Sequence, residues 1–200
     1  MINKIIQTTF CTVIAFALQA CTTAQTPTSY YDFGTPSKMA QPIGCELPAL
    51  NLSDMSTTPA LDSNLMLYRL LYSNDQQTEA YANHRWSMPP AQLLMLQIKS
   101  QLADSNVRLI DDGVANPNGL QLRLDLTDFS QYFTDANHSY VQLKLRATTL
   151  RGDVFFAQST LTQQVTTDSS DAPGGAKAMR VAADAFVADL TGWLCKLTHQ

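Results

Sequence analysis

The chain has 200 residues, of which 45% are hydrophobic, and a formal net charge of −4 at pH 7. This length and composition predict one globular domain with a substantial core. Because the charge is low and no basic run occurs, the surface needed to neutralise phosphates is absent, and we expect no nucleic-acid partner.

The N-terminus has the pattern of a bacterial export signal. Lys4 is positive, residues 5–18 are largely apolar, and the stretch is too short and too interrupted to be a stable transmembrane span. Its end, Leu18-Gln19-Ala20-Cys21, resembles the bacterial lipobox, in which the cysteine becomes the acylated first residue. We therefore expect a signal peptide over residues 1–20 and lipid on Cys21. Ordinary cleavage to a soluble protein is the alternative, but it gives no reason for a cysteine at the cut.

Acylation of Cys21 ties the mature chain to a membrane. Several acyl chains, at about 0.8 kcal/mol per buried methylene, hold a protein to a bilayer better than one chain does. Bacterial lipoproteins with Asp after the acylated cysteine tend to stay in the inner membrane, and this chain has Thr22 there. By that resemblance we expect the outer membrane, with the protein facing the periplasm.

Residues 21–44 are rich in Thr, Ser, Pro and Gln without an apolar period, which predicts a flexible tether. Tyr30-Tyr31-Asp32-Phe33 interrupts this composition. The segment either docks on the domain as a first edge strand or is a sticky part of the linker, and we favour docking. The folded domain is predicted over residues 45–200.

Cys45 and Cys195 are the thiols that remain once Cys11 leaves with the signal and Cys21 is acylated. An oxidising compartment favours a disulfide between them over two buried free thiols. The bond would close a loop of about 150 residues and contribute about 4–5 kcal/mol in the chain-entropy model. No Cys/His spacing indicates a metal site, so we expect neither a metal nor a cofactor.

The first half of the domain predicts strands and then a helix. Residues 47–52 alternate like a half-buried strand, 65–72 are apolar on both faces like a central strand, and 81–86 form a third. Pro89-Pro90 ends that strand, because proline suits the first turn of a helix. We predict this helix over 90–105. The stripe that faces the sheet consists of Ala91, Leu94, Met95, Ile98 and Leu102.

Leu93 and Leu96 fall on the other side of this helix. A solvated helix usually carries charge there, so the two leucines predict a partner surface. Single exposed leucines are also common in monomeric proteins, and that alternative stays open.

The second half predicts a meander and a long helix. Asp171-Ala172-Pro173-Gly174-Gly175 is a cap and first-turn signature, after which a helix runs to about Leu197. Two helices across the apolar face of a mainly antiparallel sheet complete a two-layer α+β sandwich. A short strand over 107–110 precedes three meander strands over 120–126, 141–147 and 154–165.

No residue cluster predicts an enzyme, and we expect no catalytic residue. Gly174-Gly175-Ala176-Lys177 lacks Walker-loop spacing, and its glycines instead allow a helix to start close to the sheet. Asp111-Asp112-Gly113 has the pattern of a turn. His84, His138 and His199 share no metal spacing, and a hydrolase that uses His84 is the alternative.

His84-Arg85-Trp86 stands just before the double proline. If Arg85 stacks on Trp86, the indole is buried where strand becomes helix, a contact worth about 0.5–2 kcal/mol. A ligand-binding aromatic is the alternative, but no second polar cluster points to the same place. We interpret Arg85, Trp86, Pro89 and Pro90 as a structural joint.

The order of several motifs, together with the lipobox, carries a resemblance that covers the chain from about residue 30 onward. The motifs are Tyr68-Arg69, Tyr81, Arg85-Trp86, Pro89-Pro90, Leu93-Leu94, Leu102, the Leu-x-Leu-x-Leu strand, Phe129, Arg146-Ala147-Thr148, Gly175-Ala176 and Trp193-Leu194. The chain resembles the ABC-type transport auxiliary lipoprotein family, which is similar to PqiC-like proteins. Cys45 and Cys195 are not part of that pattern.

The resemblance implies a non-enzymatic accessory lipoprotein that acts by protein–protein contact in the periplasm. Its implied partners are an MCE-domain protein and the ABC permease components of a system thought to move lipids between the two membranes. A homo-oligomer around an elongated partner is a further expectation. Two rival classes stay open: a lipid-carrying module, which needs an apolar cavity between helices and sheet, and a structural or assembly lipoprotein of another envelope complex.

Overall fold

A computed structural model describes residues 26–35, 45–110, 114, 119–152 and 154–198. Within these residues, nine strands form one mixed sheet and two helices cover one of its faces. The predicted two-layer α+β sandwich is confirmed. The predicted signal peptide and Cys21 lie outside the described residues, as do Asp111-Asp112-Gly113 and His199.

The elements follow the hydrophobic pattern of the chain. The strands are β1 (Ser29–Tyr31), β2 (Leu50–Leu52), β3 (Ser56–Thr57), β4 (Leu65–Leu70), β5 (Asn74–Trp86), β6 (Leu109–Ile110), β7 (Leu120–Phe133), β8 (Ser139–Arg151) and β9 (Val154–Thr166). The helices are α1 (Pro90–Asp104) and α2 (Ala172–Thr198). No helix among the described residues is both long and apolar enough to cross a membrane.

Strand β7 organises the sheet. One of its edges pairs antiparallel with β8, while β2, β3 and β4 line up in succession along the other, all parallel to it. The three short strands therefore act as one interrupted strand. The long pairs β4–β5, β7–β8 and β8–β9 are antiparallel, as predicted, whereas the short parallel pairs were not foreseen.

A bulge in β7 keeps its apolar residues on the helix side. Leu122, Leu124 and the other even-numbered leucines are buried up to Leu126, and the register of pairing with β8 then shifts before Asp128. The extra residue reverses the alternation, so Phe129 is buried next. One strand thus supplies core residues along its full length.

The helices cover this apolar face as the stripes predict. Helix α1 begins with Pro90 in its first turn, and its predicted stripe is buried. Helix α2 begins at Ala172, so the Asp171–Gly175 signature forms its cap and first turn and does not precede it. The Asp171 carboxylate accepts a hydrogen bond from the backbone N–H of Gly174 at 2.8 Å.

Part of the predicted tether belongs to the folded domain. Strand β1 pairs in parallel with the end of β5. Phe33 is only 4% exposed and its ring contacts Trp86 and Phe129. The favoured docking of this segment is confirmed, and a flexible tether that extends to residue 44 is wrong for residues 29–35, because β1 pairs with β5, Phe33 joins the core and Tyr31 packs against it.

Candidate functional site

The end of β5 holds the residues that the sequence singled out. The Trp86 indole is 3% exposed and lies edge-on to the Phe129 ring, with 5.2 Å between ring centroids. Arg85 instead donates hydrogen bonds from Nη1 to the carbonyl oxygens of Tyr81 and His84. The predicted stacking of Arg85 on Trp86 is wrong, because neighbouring residues of a strand point to opposite faces of the sheet.

The backbone after Trp86 is held by the elements on both sides. The N–H of Trp86 donates to the carbonyl oxygen of Asn64, and the N–H of Ser87 donates to that of Tyr31 at 2.7 Å. Helix α1 then starts at Pro90, which is buried. These contacts hold the connection between β5 and α1 against the docked N-terminal segment.

His84 connects β5 to β1. Its Nδ1 lies 3.0 Å from the hydroxyl of Tyr31, and its ring also contacts that of Tyr81 edge-on. This pairing could not be predicted from the local pattern, since Tyr31 and His84 lie 53 positions apart in the chain. In the part of the chain that the structure describes, no three His, Cys, Asp or Glu side chains are placed to hold a metal ion.

The two leucines of the predicted partner surface differ in their exposure to solvent. Leu96 is 57% exposed, whereas Leu93 is 4% exposed and belongs to the core. The prediction of a surface that includes Leu93 is therefore wrong. Helix α1 is buried over more than its stripe, and only Leu96 of this pair is available to a partner.

The two helices are joined by polar contacts that the sequence did not reveal. The Nε2 atoms of Gln97 and Gln101 each donate to Oδ1 of Asp184 at 2.6 Å. Both glutamines are buried, whereas Asp184 is partly exposed. Asp184 thus sets the position of α1 beside α2.

A second buried polar network lies under the start of α2. The Tyr81 hydroxyl donates to Oε1 of Gln131 at 3.0 Å, and Nε2 of Gln131 donates to Oγ of Ser139 at 2.9 Å. Burial raises the pKa of Tyr81 above its ordinary value, and the nearby Asp171 carboxylate adds to that effect. The hydroxyl therefore stays protonated and serves as a fixed donor.

The gap beside this network is small. Its volume is about 10 Å³, which is room for about one water molecule and far too little for an acyl chain. It is lined by Met66, Leu67, Tyr81, Trp86, Phe129, Gln131, Val141, Gly175 and Met179. The space between the N-terminal half of α2 and the sheet is thus filled by side chains.

The opposite end of the domain carries the disulfide. Cys45 is bonded to Cys195 near the end of α2, across 150 residues of sequence. An open groove of about 430 Å³ lies at this end. Its lining residues are Glu46, Leu47, Pro48, Leu120, Arg151 and Thr198.

The sheet face away from the helices is polar. Arg146 forms an ion pair with Asp125 at 2.8 Å. The Ser56 hydroxyl and then Arg146 hold the pKa of the Asp125 carboxyl below its ordinary value. On the same strand pair, the Tyr132 and Tyr140 rings stack with 5.3 Å between centroids. Asp125 is thus paired with Arg146, whereas Asp128 on the same strand accepts hydrogen bonds from Tyr132 and Gln142.

Comparison with known proteins supports one family. A family model described as ABC-type transport auxiliary lipoprotein component matches residues 31–191. No curated protein matches the chain.

Three crystal structures have the same fold. A protein from Xanthomonas campestris has a TM-score of 0.74 at 18% identity, over 86% of this chain and 98% of that one. A protein described as uncharacterized has a TM-score of 0.61 at 13% identity, over 84% and 98%. A hypothetical protein from Chlamydia trachomatis has a TM-score of 0.51 at 9% identity, over 76% and 99%. At these identities the likeness concerns the fold alone.

Proposed function

This chain belongs to the family of ABC-type transport auxiliary lipoprotein components, and from that membership we propose that it is a non-enzymatic accessory of an ABC transport system of the MCE type, which moves lipid between membranes. The match over residues 31–191, downstream of a lipobox cysteine, carries the proposal. The protein would be held by lipid on Cys21 at the outer membrane and would project its domain into the periplasm.

Tethering is the physical basis of this role. Two partners confined to a thin compartment meet at a high effective concentration, so a small and weak contact suffices. The proposed partners are the MCE-domain protein and the ABC permease components of the same system. Leu96 on α1, with more than half of its surface exposed, is one candidate contact point.

The way in which reactive groups are used supports a role without catalysis. Asp125 forms an ion pair with Arg146, Asp171 caps the start of α2, and the His84 ring is hydrogen-bonded to the Tyr31 hydroxyl. Each of these side chains holds two strands together or caps the start of a helix. Their positions differ from the converging nucleophile, base and oxyanion donors of a hydrolase.

The rival in which the domain itself carries lipid requires an apolar cavity between helices and sheet. The gap beside the start of α2 has a volume of about 10 Å³, and residues that line it, such as Phe129 and Met179, are almost fully buried. This packing favours a contact protein over a lipid carrier. The other rival, an assembly lipoprotein of a different envelope complex, is separated by its partner.

The decisive experiment is crosslinking in cells from α1. A photoreactive residue at Leu96 in the full chain should capture an MCE-domain protein. The same residue at Thr127, which is exposed on the opposite face of the sheet, serves as the matched control. Capture of only an unrelated envelope complex from either position would move the assignment to the assembly class.

Acylation is tested separately. The mass of the N-terminal peptide of the mature chain should correspond to an acylated Cys21, and Cys21→Ser should release the chain from the membrane fraction. An unmodified, soluble mature chain would remove the basis of the proposal.

A further inference from the structure

Strand β9 forms an edge of the sheet. It pairs with β8 along its length, and within the described residues no other strand pairs with it. A free edge is a template for another strand, and proteins usually protect it with charges, prolines or bulges that disrupt the edge. The 13 residues of β9 include no charged residue and no proline. Its pairing with β8 has one register shift, between Phe155 and Ala157, and residues 157–165 pair without a break.

The other long strand with a largely free edge is built differently. Strand β5 is paired by β1 only at His84, Arg85 and Trp86. It carries Asp75 and Glu79 along the rest of its length, and acidic side chains oppose the approach of a second strand. This chain therefore protects the β5 edge with charge, whereas residues 157–165 of β9 have no charge, proline or register shift.

The sequence of β9 is nearly symmetric about Leu161. Residues 157–165 read AQSTLTQQV, and positions equally distant from Leu161 carry residues of the same class. The matched positions are Ala157 with Val165, Gln158 with Gln164, Ser159 with Gln163, and Thr160 with Thr162. Two copies of a strand that pair antiparallel about a two-fold axis bring such positions face to face.

The two faces of β9 fit this pairing. Ala157, Leu161 and Val165 share the half-buried helix side, so apolar residues meet apolar residues there. Thr160 and Thr162 lie on the exposed side, where threonine pairs across strands form hydrogen bonds. With no charge on the strand, self-pairing brings no like charges together.

We propose that the β9 edge is a docking site for a second copy of this chain, with the two β9 strands antiparallel and the two-fold axis at Leu161, so that two sheets become one. The inference deepens the homo-oligomer expected for the proposed function by naming its interface. It rests on the strand itself and not on the identity of the transport partner.

Charges placed on either side of the two-fold axis test the interface. The full chain in density-matched detergent should sediment as a dimer, and Thr160→Lys with Thr162→Lys should halve the mass, because each lysine then faces a lysine of the partner strand. Gln76→Lys with Thr78→Lys puts the same charges on exposed positions of β5 and should leave the dimer intact. A monomeric parent chain, or a lysine variant that stays dimeric, would overturn the proposal.

The register is tested by a single cysteine. Opposed residues of antiparallel strands have Cα atoms about 4.5–5.5 Å apart, within disulfide range. Leu161→Cys should therefore give a covalent dimer under mild oxidation, whereas Gln158→Cys, which faces Gln164, should not. Crosslinking at position 158 in preference to 161 contradicts the register. If the chain is monomeric and still captures an MCE-domain protein, the dimer proposal is wrong and the proposed function is unaffected.

Discussion

At the scale of single residues, Gly175 sets how closely α2 lies on the sheet. A Cβ atom built at this position would overlap Oε1 of Gln131. That oxygen is fixed, since it accepts from Tyr81 while the amide nitrogen donates to Ser139. We expect Gly175→Ala to lower the free energy of unfolding by about 1–3 kcal/mol, measured by urea denaturation.

Gly192 in the same helix is the matched control. Apart from the backbone of its own helix and its chain neighbours, no described atom lies within 4 Å of a Cβ built there, and alanine is favoured over glycine in a helix interior. Gly192→Ala should therefore raise the free energy of unfolding by about 0.5–1 kcal/mol. If both variants shift stability in the same direction, the overlap with Gln131 does not control the approach of α2.

At the scale of elements, the start of α2 depends on a charged cap. The Ser169 hydroxyl and the backbone N–H of Gly174 hold the pKa of the Asp171 carboxyl below its ordinary value. A carboxyl whose pKa is lower in the folded chain adds stability above its unfolded pKa and loses it as pH falls through the folded pKa. Asp171→Ala should thus cost about 0.5–2 kcal/mol at pH 7.

The difference between parent and Asp171→Ala should shrink in acid, below the ordinary Asp pKa of about 3.9. Urea unfolding at neutral pH and near pH 3 measures it. Asp54→Ala removes the same charge from an exposed loop position and should change stability by no more than about 0.5 kcal/mol. A deficit of Asp171→Ala that is equal at both pH values would mean that the ionised carboxylate is not the cap.

The elements with a clear period could be predicted from sequence, and those without one could not. The leucine alternation of β7 and the stripes of both helices gave their positions, since burial on one face imposes the pattern. The first half of β5 is polar at an exposed edge, so only its end at residues 81–86 was foreseen. The parallel pairing of β2, β3 and β4 left no signal, because strands of two to six residues do not encode their partners.

The features of the candidate site were likewise only partly predictable from the sequence. Local sequence placed Pro90 at a helix start and Gly175 of α2 near the sheet. It did not show that Leu93 is buried or that Gln97 reaches Asp184, because both depend on where α2 lies. Contacts between residues far apart in sequence had to come from the structure.

At the scale of the whole molecule, the docked N-terminal segment limits how far the domain stands from the membrane. If Cys21 carries lipid, it lies eight positions before Ser29, and a chain of that length spans about 16 Å as a random coil and at most about 28 Å when fully extended. The chain after β1 is then fixed to α2 twice, by a 2.7 Å hydrogen bond from Arg180 to the carbonyl oxygen of Thr35 and by the disulfide of Cys45. If Cys21 is acylated, we therefore expect the tether to comprise residues 22–28 and not to extend to residue 44.

This arrangement predicts that two insertions of equal length act differently. Twenty Gly and Ser residues placed within 22–28 should raise the mean coil span from about 16 Å to about 29 Å. The same insert within 36–44 lies between the two attachment points on α2 and should leave the height unchanged. Neutron reflectometry of the acylated chain on a supported bilayer measures the distance between the bilayer and the domain. If the second insert also increases the distance between bilayer and domain, β1 is undocked when the chain is on the membrane. The longer tether would then let the domain contact partners farther from the lipid surface.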